Sequence, residues 1–165
     1  MKYAAVIAGI VVIGSIALFS SKNLTNEEII DQYYKAYEPI TNQRSLMTES
    51  ISDLDLAMEY YNAHDYRNAA FLFSKVVSNN PKDMQSTLLK GISNFENKEY
   101  PKAEQSFGNV IDDNNNLYID QAEWYLALCY LNTNEIIKAK QLFEAIKKEE
   151  GIYKNDARKI LRKMK

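Results

Sequence analysis

An all-α stack of helix pairs is the fold that this sequence predicts, and three observations predict it. First, five positions recur in three copies, separated by 34 and then 36 residues: Ala57, Gly91 and Ala127; Tyr66, Tyr100 and Ile136; Ala69, Ala103 and Ala139; Phe73, Phe107 and Phe143; Val76, Val110 and Ile146. Second, the chain holds only 3 prolines and 5 glycines, and it is rich in Leu, Ile, Ala, Glu, Lys and Tyr, a composition that suits helices joined by short turns. Third, the segments on either side of the copies also carry apolar residues at helical spacing.

The chain begins with an apolar run, residues 4–21, which carries no charge and is bracketed by Lys2 and Lys22. As a helix it would extend ~27 Å, close to a hydrocarbon core of ~30 Å. It is expected to be a signal-anchor helix over residues 1–22. A cleaved signal peptide is the competing reading, although the exit "ALFSSK" lacks the A-x-A pattern of a cleavage site. With Lys2 and the terminal amine on the cytoplasmic side, the rest of the chain is expected on the extracytoplasmic side of the membrane.

Residues 23–49 are expected to form a juxtamembrane helix and a linker. Thr25 with Glu28 three positions on makes a capping box, and Ile29, Ile30, Tyr33, Tyr34 and Tyr37 follow at helical spacing until Pro39 stops the helix near residue 38. Thr48 and Ser50 are candidate caps for the next helix. Residues 50–165 then form the repeat domain, with repeats at about 50–83, 84–117 and 120–153. The two extra residues between copies two and three fall in the Asn/Asp-rich loop "DDNNNLYID". A small residue on the first helix of each pair and an alanine on the second allow two antiparallel helices to cross closely. The phenylalanine and the β-branched residue fill the gap to the next pair. One helix pair cannot bury its apolar face alone, so the pairs must stack. After Gly151, Ala157, Ile160, Leu161 and Met164 line one face of an otherwise basic segment, residues 154–165, which reads as a helix capping the last pair.

The spacing and residue types resemble the tetratricopeptide repeat. Repeat one carries Leu56, Ala57, Tyr60, Tyr66, Ala69, Phe73 and Pro81. Repeat two carries Gly91, Tyr100, Ala103 and Phe107, with Lys90 and Asn94 in place of the leucine and the first-helix tyrosine. Repeat three carries Leu126, Ala127, Tyr130, Ala139 and Phe143, with Trp124 one position later than the family tryptophan. The resemblance covers about residues 50–151. It implies a right-handed superhelix whose first helices line a concave groove. Matched position by position, the groove residues would be Leu54, Met58 and Tyr61 in repeat one, Leu88, Ile92 and Phe95 in repeat two, and Trp124, Leu128 and Leu131 in repeat three. The row is apolar and aromatic and lacks the Lys and Asn with which some family members clamp a terminal carboxylate.

No enzyme signature is present. His64, the lone histidine, falls in a turn; there is no Gly-rich phosphate loop; and the single cysteine, Cys129, excludes a disulfide framework and a cysteine zinc site. No cofactor or metal is expected. A net charge of −2 argues against nucleic acid as a partner. The expected function is non-catalytic: a membrane-anchored scaffold that holds a protein or peptide partner in the apolar groove, with self-association implied by the resemblance. The alternatives are a secreted or periplasmic form after signal cleavage, and a structural subunit of an envelope complex. In the latter the groove is filled by the chain's own 27–38 segment.

Overall fold

Caps and turns set the helix boundaries. The computed structural model of the chain describes residues 23–39 and 52–164, and among these there are eight helices and no strands. They are α1 (Asn26–Tyr33), α2 (Asp53–Asn62), α3 (Tyr66–Asn79), α4 (Met84–Glu96), α5 (Tyr100–Asp113), α6 (Ile119–Asn132), α7 (Ile136–Lys148) and α8 (Lys154–Lys163). None is long and apolar enough to cross a membrane; the 4–21 run expected to do so lies outside the described residues. The capping box of α1 is present as the sequence predicts: Glu28 N–H donates to Thr25 Oγ1, and Thr25 N–H donates to Glu28 Oε2 at 2.8 Å. Helix α2 starts later than Thr48 or Ser50 would set it. Ser52 caps it through Asp55, a second box in which each side chain takes the other's backbone N–H.

The turn inside each pair is one device used three times. His64, Lys98 and Asn134 have φ near +60°, the left-handed region. In repeat one, His64 N–H donates to the Tyr61 carbonyl and Asp65 N–H to the Tyr60 carbonyl. Lys98 and Glu99 do the same to Phe95 and Asn94, and Asn134 and Glu135 to Leu131 and Tyr130. This paired pattern closes the C-terminus of α2, α4 and α6 with a Schellman motif. It also explains the turn position of His64, whose Nδ1 lies 2.7 Å from the Tyr66 hydroxyl. Between repeats two and three, Asn116 replaces that device. Its Nδ2 donates to the Val110 carbonyl at the end of α5, and its Oδ1 accepts from Tyr118 N–H.

The helices pack in chain order: α2 on α3, α3 on α4, α4 on α5, α5 on α6, α6 on α7 and α7 on α8. The close crossings fall where the repeated small residues stand. Ala57, Ala127, Ala69, Ala103 and Ala139 are wholly buried, and so are Phe73, Phe107 and Phe143. At Gly91 a β-carbon would stand 2.6 Å from Cε1 of Phe107, so α4 and α5 approach as closely as a glycine permits. Helix α8 caps the stack by burying Ala157, Ile160 and Met164, leaving Arg158, Lys159 and Arg162 exposed.

Helix α1 is shorter than its periodicity predicts. It ends at Tyr33, and residues 34–39 continue without helix. Pro39 contributes by leaving the Lys35 carbonyl without a helical donor and by disfavouring helix at Glu38, and tertiary contacts described below hold the extended chain in place.

Candidate protein-interaction face

The first helices of the three pairs, α2, α4 and α6, share one face, and residues 23–39 lie along it as a strap. The strap starts at the last repeat and ends at the first. Leu24 N–H donates to the Lys163 carbonyl at 2.9 Å, at the end of α8. Asn26 Nδ2 donates to the Leu131 carbonyl at the end of α6. Ile29 is buried, and α1 packs on α6. Tyr34 then reaches α4, where its ring stacks on Phe95 with centroids 5.3 Å apart and its edge meets Tyr125 of α6 at 6.1 Å. Its hydroxyl donates to the Glu96 carboxylate. Beyond it, Tyr125 donates its hydroxyl to the Lys35 carbonyl at 2.7 Å, and Tyr61 of α2 donates to the Tyr37 carbonyl at 2.8 Å.

These contacts account for the non-helical end of the strap. Outside a helix its carbonyls need other donors, and two of them receive tyrosine hydroxyls from the repeats. Burial, and then the Glu96 carboxylate, push the Tyr34 phenol well above its ordinary range. Burial does the same to Tyr61 and Tyr125. All three stay protonated at neutral pH and so remain donors.

The predicted groove row divides under this geometry. Tyr61, Leu88, Ile92, Phe95, Trp124, Leu128 and Leu131 are buried; Met58 is half-buried and Leu54 is 39% exposed. Tyr61 and Phe95 meet the strap directly. Trp124 does not. Its ring stacks on Tyr153 at 4.6 Å and meets Phe143 edge-on at 5.7 Å, so it seals the last pair against the segment entering α8. From α6, Tyr125, which the row omits, reaches the strap with its hydroxyl, and Leu131, which the row includes, meets it with its carbonyl. Glu96 is also missing from the row; it stands beside Phe95 at the helix end.

Cys129 is buried, and its thiol is pushed up to about 12 by burial and by the charges of Glu104 and Glu135. Glu123 is pushed up to about 6 by burial and then by Glu149 and Asp120. Among the described residues no group of three or more His, Cys, Asp or Glu side chains is placed to hold a metal ion.

No family model matches this chain, and no curated protein does. Among solved structures it is similar to a chain of the CopN-Scc3 complex. The TM-score is 0.54 at 22% identity, over 80% of this chain and 84% of that one. At that identity the likeness shows the fold alone. The chain is a helical-repeat protein, and its stacked pairs are consistent with a tetratricopeptide-like repeat.

Proposed function

We propose that this chain is a non-catalytic protein-interaction module of the tetratricopeptide type, wound as a right-handed superhelix, which holds a segment of a partner protein on the α2–α4–α6 face. The observation that carries the proposal is the strap. A peptide-like, non-helical stretch already lies across this face and is held by side chains of the repeats. A face that grips one extended segment through ring stacking and carbonyl contacts is suited to gripping another. Residues 1–22 tether the module to a membrane with the repeats on the extracytoplasmic side. Tethering raises the effective concentration of a partner held in the same membrane without new contacts.

The test is a photo-crosslinker in place of Phe95 in the full chain, in its native membrane. An adduct with another protein is the expected result and identifies the partner. An adduct formed only with residues 23–39 of the same chain would make the strap a permanent part of the core and remove this face from the account. Protease treatment of intact cells checks the tether: digestion of the repeats is expected, and full protection would reverse the orientation.

A further inference from the structure

We infer that the α2–α4–α6 face reads an extended segment bearing a tyrosine, and that residues 34–37 are a resident copy of the motif a partner presents. The inference rests on the reading of this face as a partner site and specifies what it accepts. Three contacts define the acceptance. A ring enters the slot between Phe95 and Tyr125. A hydroxyl on that ring donates to Glu96 at the end of the slot. The carbonyls one and three residues further on accept from Tyr125 and Tyr61.

Each contact has a different selectivity. Hydroxyls that donate to main-chain carbonyls ignore the side chains there, so these two bonds make no demand on residue type. Lys35 and Ala36 are exposed while Tyr37 is half-buried, so the two positions directly after the ring are the ones free to vary. The slot is selective. Phenylalanine fills it but leaves the Glu96 carboxylate without the ring hydroxyl, and a hydrogen bond to a charged group contributes more than a neutral one. Phosphotyrosine would bring two negative charges against that carboxylate. The slot therefore selects unmodified tyrosine over both.

The strap is also lightly held for a segment of its length. Of residues 23–39 only Ile29 is fully buried, while Tyr33, Tyr34 and Tyr37 are half-buried. Its advantage is its covalent link, which holds it near the face at an effective concentration on the order of millimolar. A free peptide competes against that concentration, so the test removes the resident ring.

The experiment measures fluorescence anisotropy of a labelled peptide with the sequence of residues 33–39, Tyr-Tyr-Lys-Ala-Tyr-Glu-Pro, against the full-length chain in nanodiscs. Two further peptides carry phenylalanine or phosphotyrosine at the position of Tyr34. The Tyr34→Ala chain, checked for helicity, is expected to bind the tyrosine peptide at least about tenfold more tightly than the unmodified chain does. The phenylalanine peptide should bind roughly tenfold more weakly than the tyrosine peptide, and the phosphopeptide weaker still. Glu96→Gln should narrow the gap between tyrosine and phenylalanine. Because Tyr34→Ala removes a packed ring, hydrogen exchange on the unmodified chain supplies an independent readout. Millimolar tyrosine peptide should speed exchange in residues 33–39, and the phenylalanine peptide should do so less. Equal binding of the tyrosine and phenylalanine peptides, or no binding to a folded Tyr34→Ala chain together with unchanged exchange, overturns the inference. A partner crosslinked at Phe95 alongside equal peptide binding would sink the tyrosine preference and leave the proposed function standing.

Discussion

Placing a methyl group at Gly91 tests the packing account directly. In Gly91→Ala the new β-carbon would stand 2.6 and 2.8 Å from two ring carbons of Phe107 and 3.1 Å from Cβ of Ser106, where ordinary contact begins at 3.4 Å. Something must move by about 0.8 Å. Phe107 is wholly buried and its ring stacks on Tyr125 at 5.9 Å, so it has no open space to turn into. Overpacking of this kind costs about 1–3 kcal/mol. Alanine in a helix interior recovers up to about 1 kcal/mol relative to glycine. The net expectation is a loss of about 1–2 kcal/mol, or a fall of roughly 3–6 °C in Tm for a chain of this size. Thermal and urea unfolding followed by circular dichroism would measure it. Phe107→Leu in the Gly91→Ala background should recover part of the loss, giving a coupling of about 1 kcal/mol in the double-mutant cycle. A Gly91→Ala chain as stable as the parent, or more so, would mean that α4 and α5 do not cross as described and would refute the reasoning.

Other outcomes follow from single features. Glu123→Gln should stabilise the fold by about 1 kcal/mol at neutral pH; the full shift would be worth ~2 kcal/mol, and partial exposure discounts it. Because the folded carboxyl is raised from 4.5 to about 6, its penalty is present above about pH 6 and fades as the pH falls toward 4.5. The advantage of the variant should fade with it, and a gain that persists at pH 4 would contradict the assignment. Cys129 should resist a thiolate-specific reagent in the native chain at pH 8 and react fully in guanidinium, since the buried thiol is almost wholly protonated there; rapid native labelling would place it elsewhere. Lys98→Gly should stabilise by about 0.5–1 kcal/mol by relieving a side chain held at positive φ, and a loss in denaturant midpoint would show that Lys98 makes a compensating contact.

The repeats were legible in the sequence because their physics is local and periodic. A residue at a helix crossing must be small wherever it recurs, so Ala57, Gly91 and Ala127 announce the same crossing three times, and all five repeated columns stand in the pairs they predict. The strap was only half legible. Its amphipathic start and Thr25 cap could be read, yet the place where helix gives way to extended chain could not. Pro39 signals a stop and denies the Lys35 carbonyl its helical donor, but the donor that takes that carbonyl, Tyr125, is 90 residues away and nothing local encodes it. Leu88, Ile92, Leu128 and Leu131 fit a groove and a core equally well in sequence, because both require apolar residues on the same helical face. Only the position of residues 23–39 separates the two. Trp124 was assigned to the groove because it stands in register with Leu54 and Leu88, at the same 34- and 36-residue offsets as the small residues. Its ring is taken up by Tyr153, a residue beyond the last helix pair that no repeat register can supply.

The bond between Leu24 N–H and the Lys163 carbonyl has a mechanical consequence. In a linear array, tension on one terminus peels units away one after another from that end. Here the first described residues are fastened to the last helix, and the segment that follows crosses all three pairs before it reaches Tyr61. A pull from upstream of residue 24 is therefore delivered to α8 and spread across the stack in shear, with the strap acting as a seat belt over the repeats. The fastening at α8 and the ring contacts at Phe95 must slip before the first repeat feels the load.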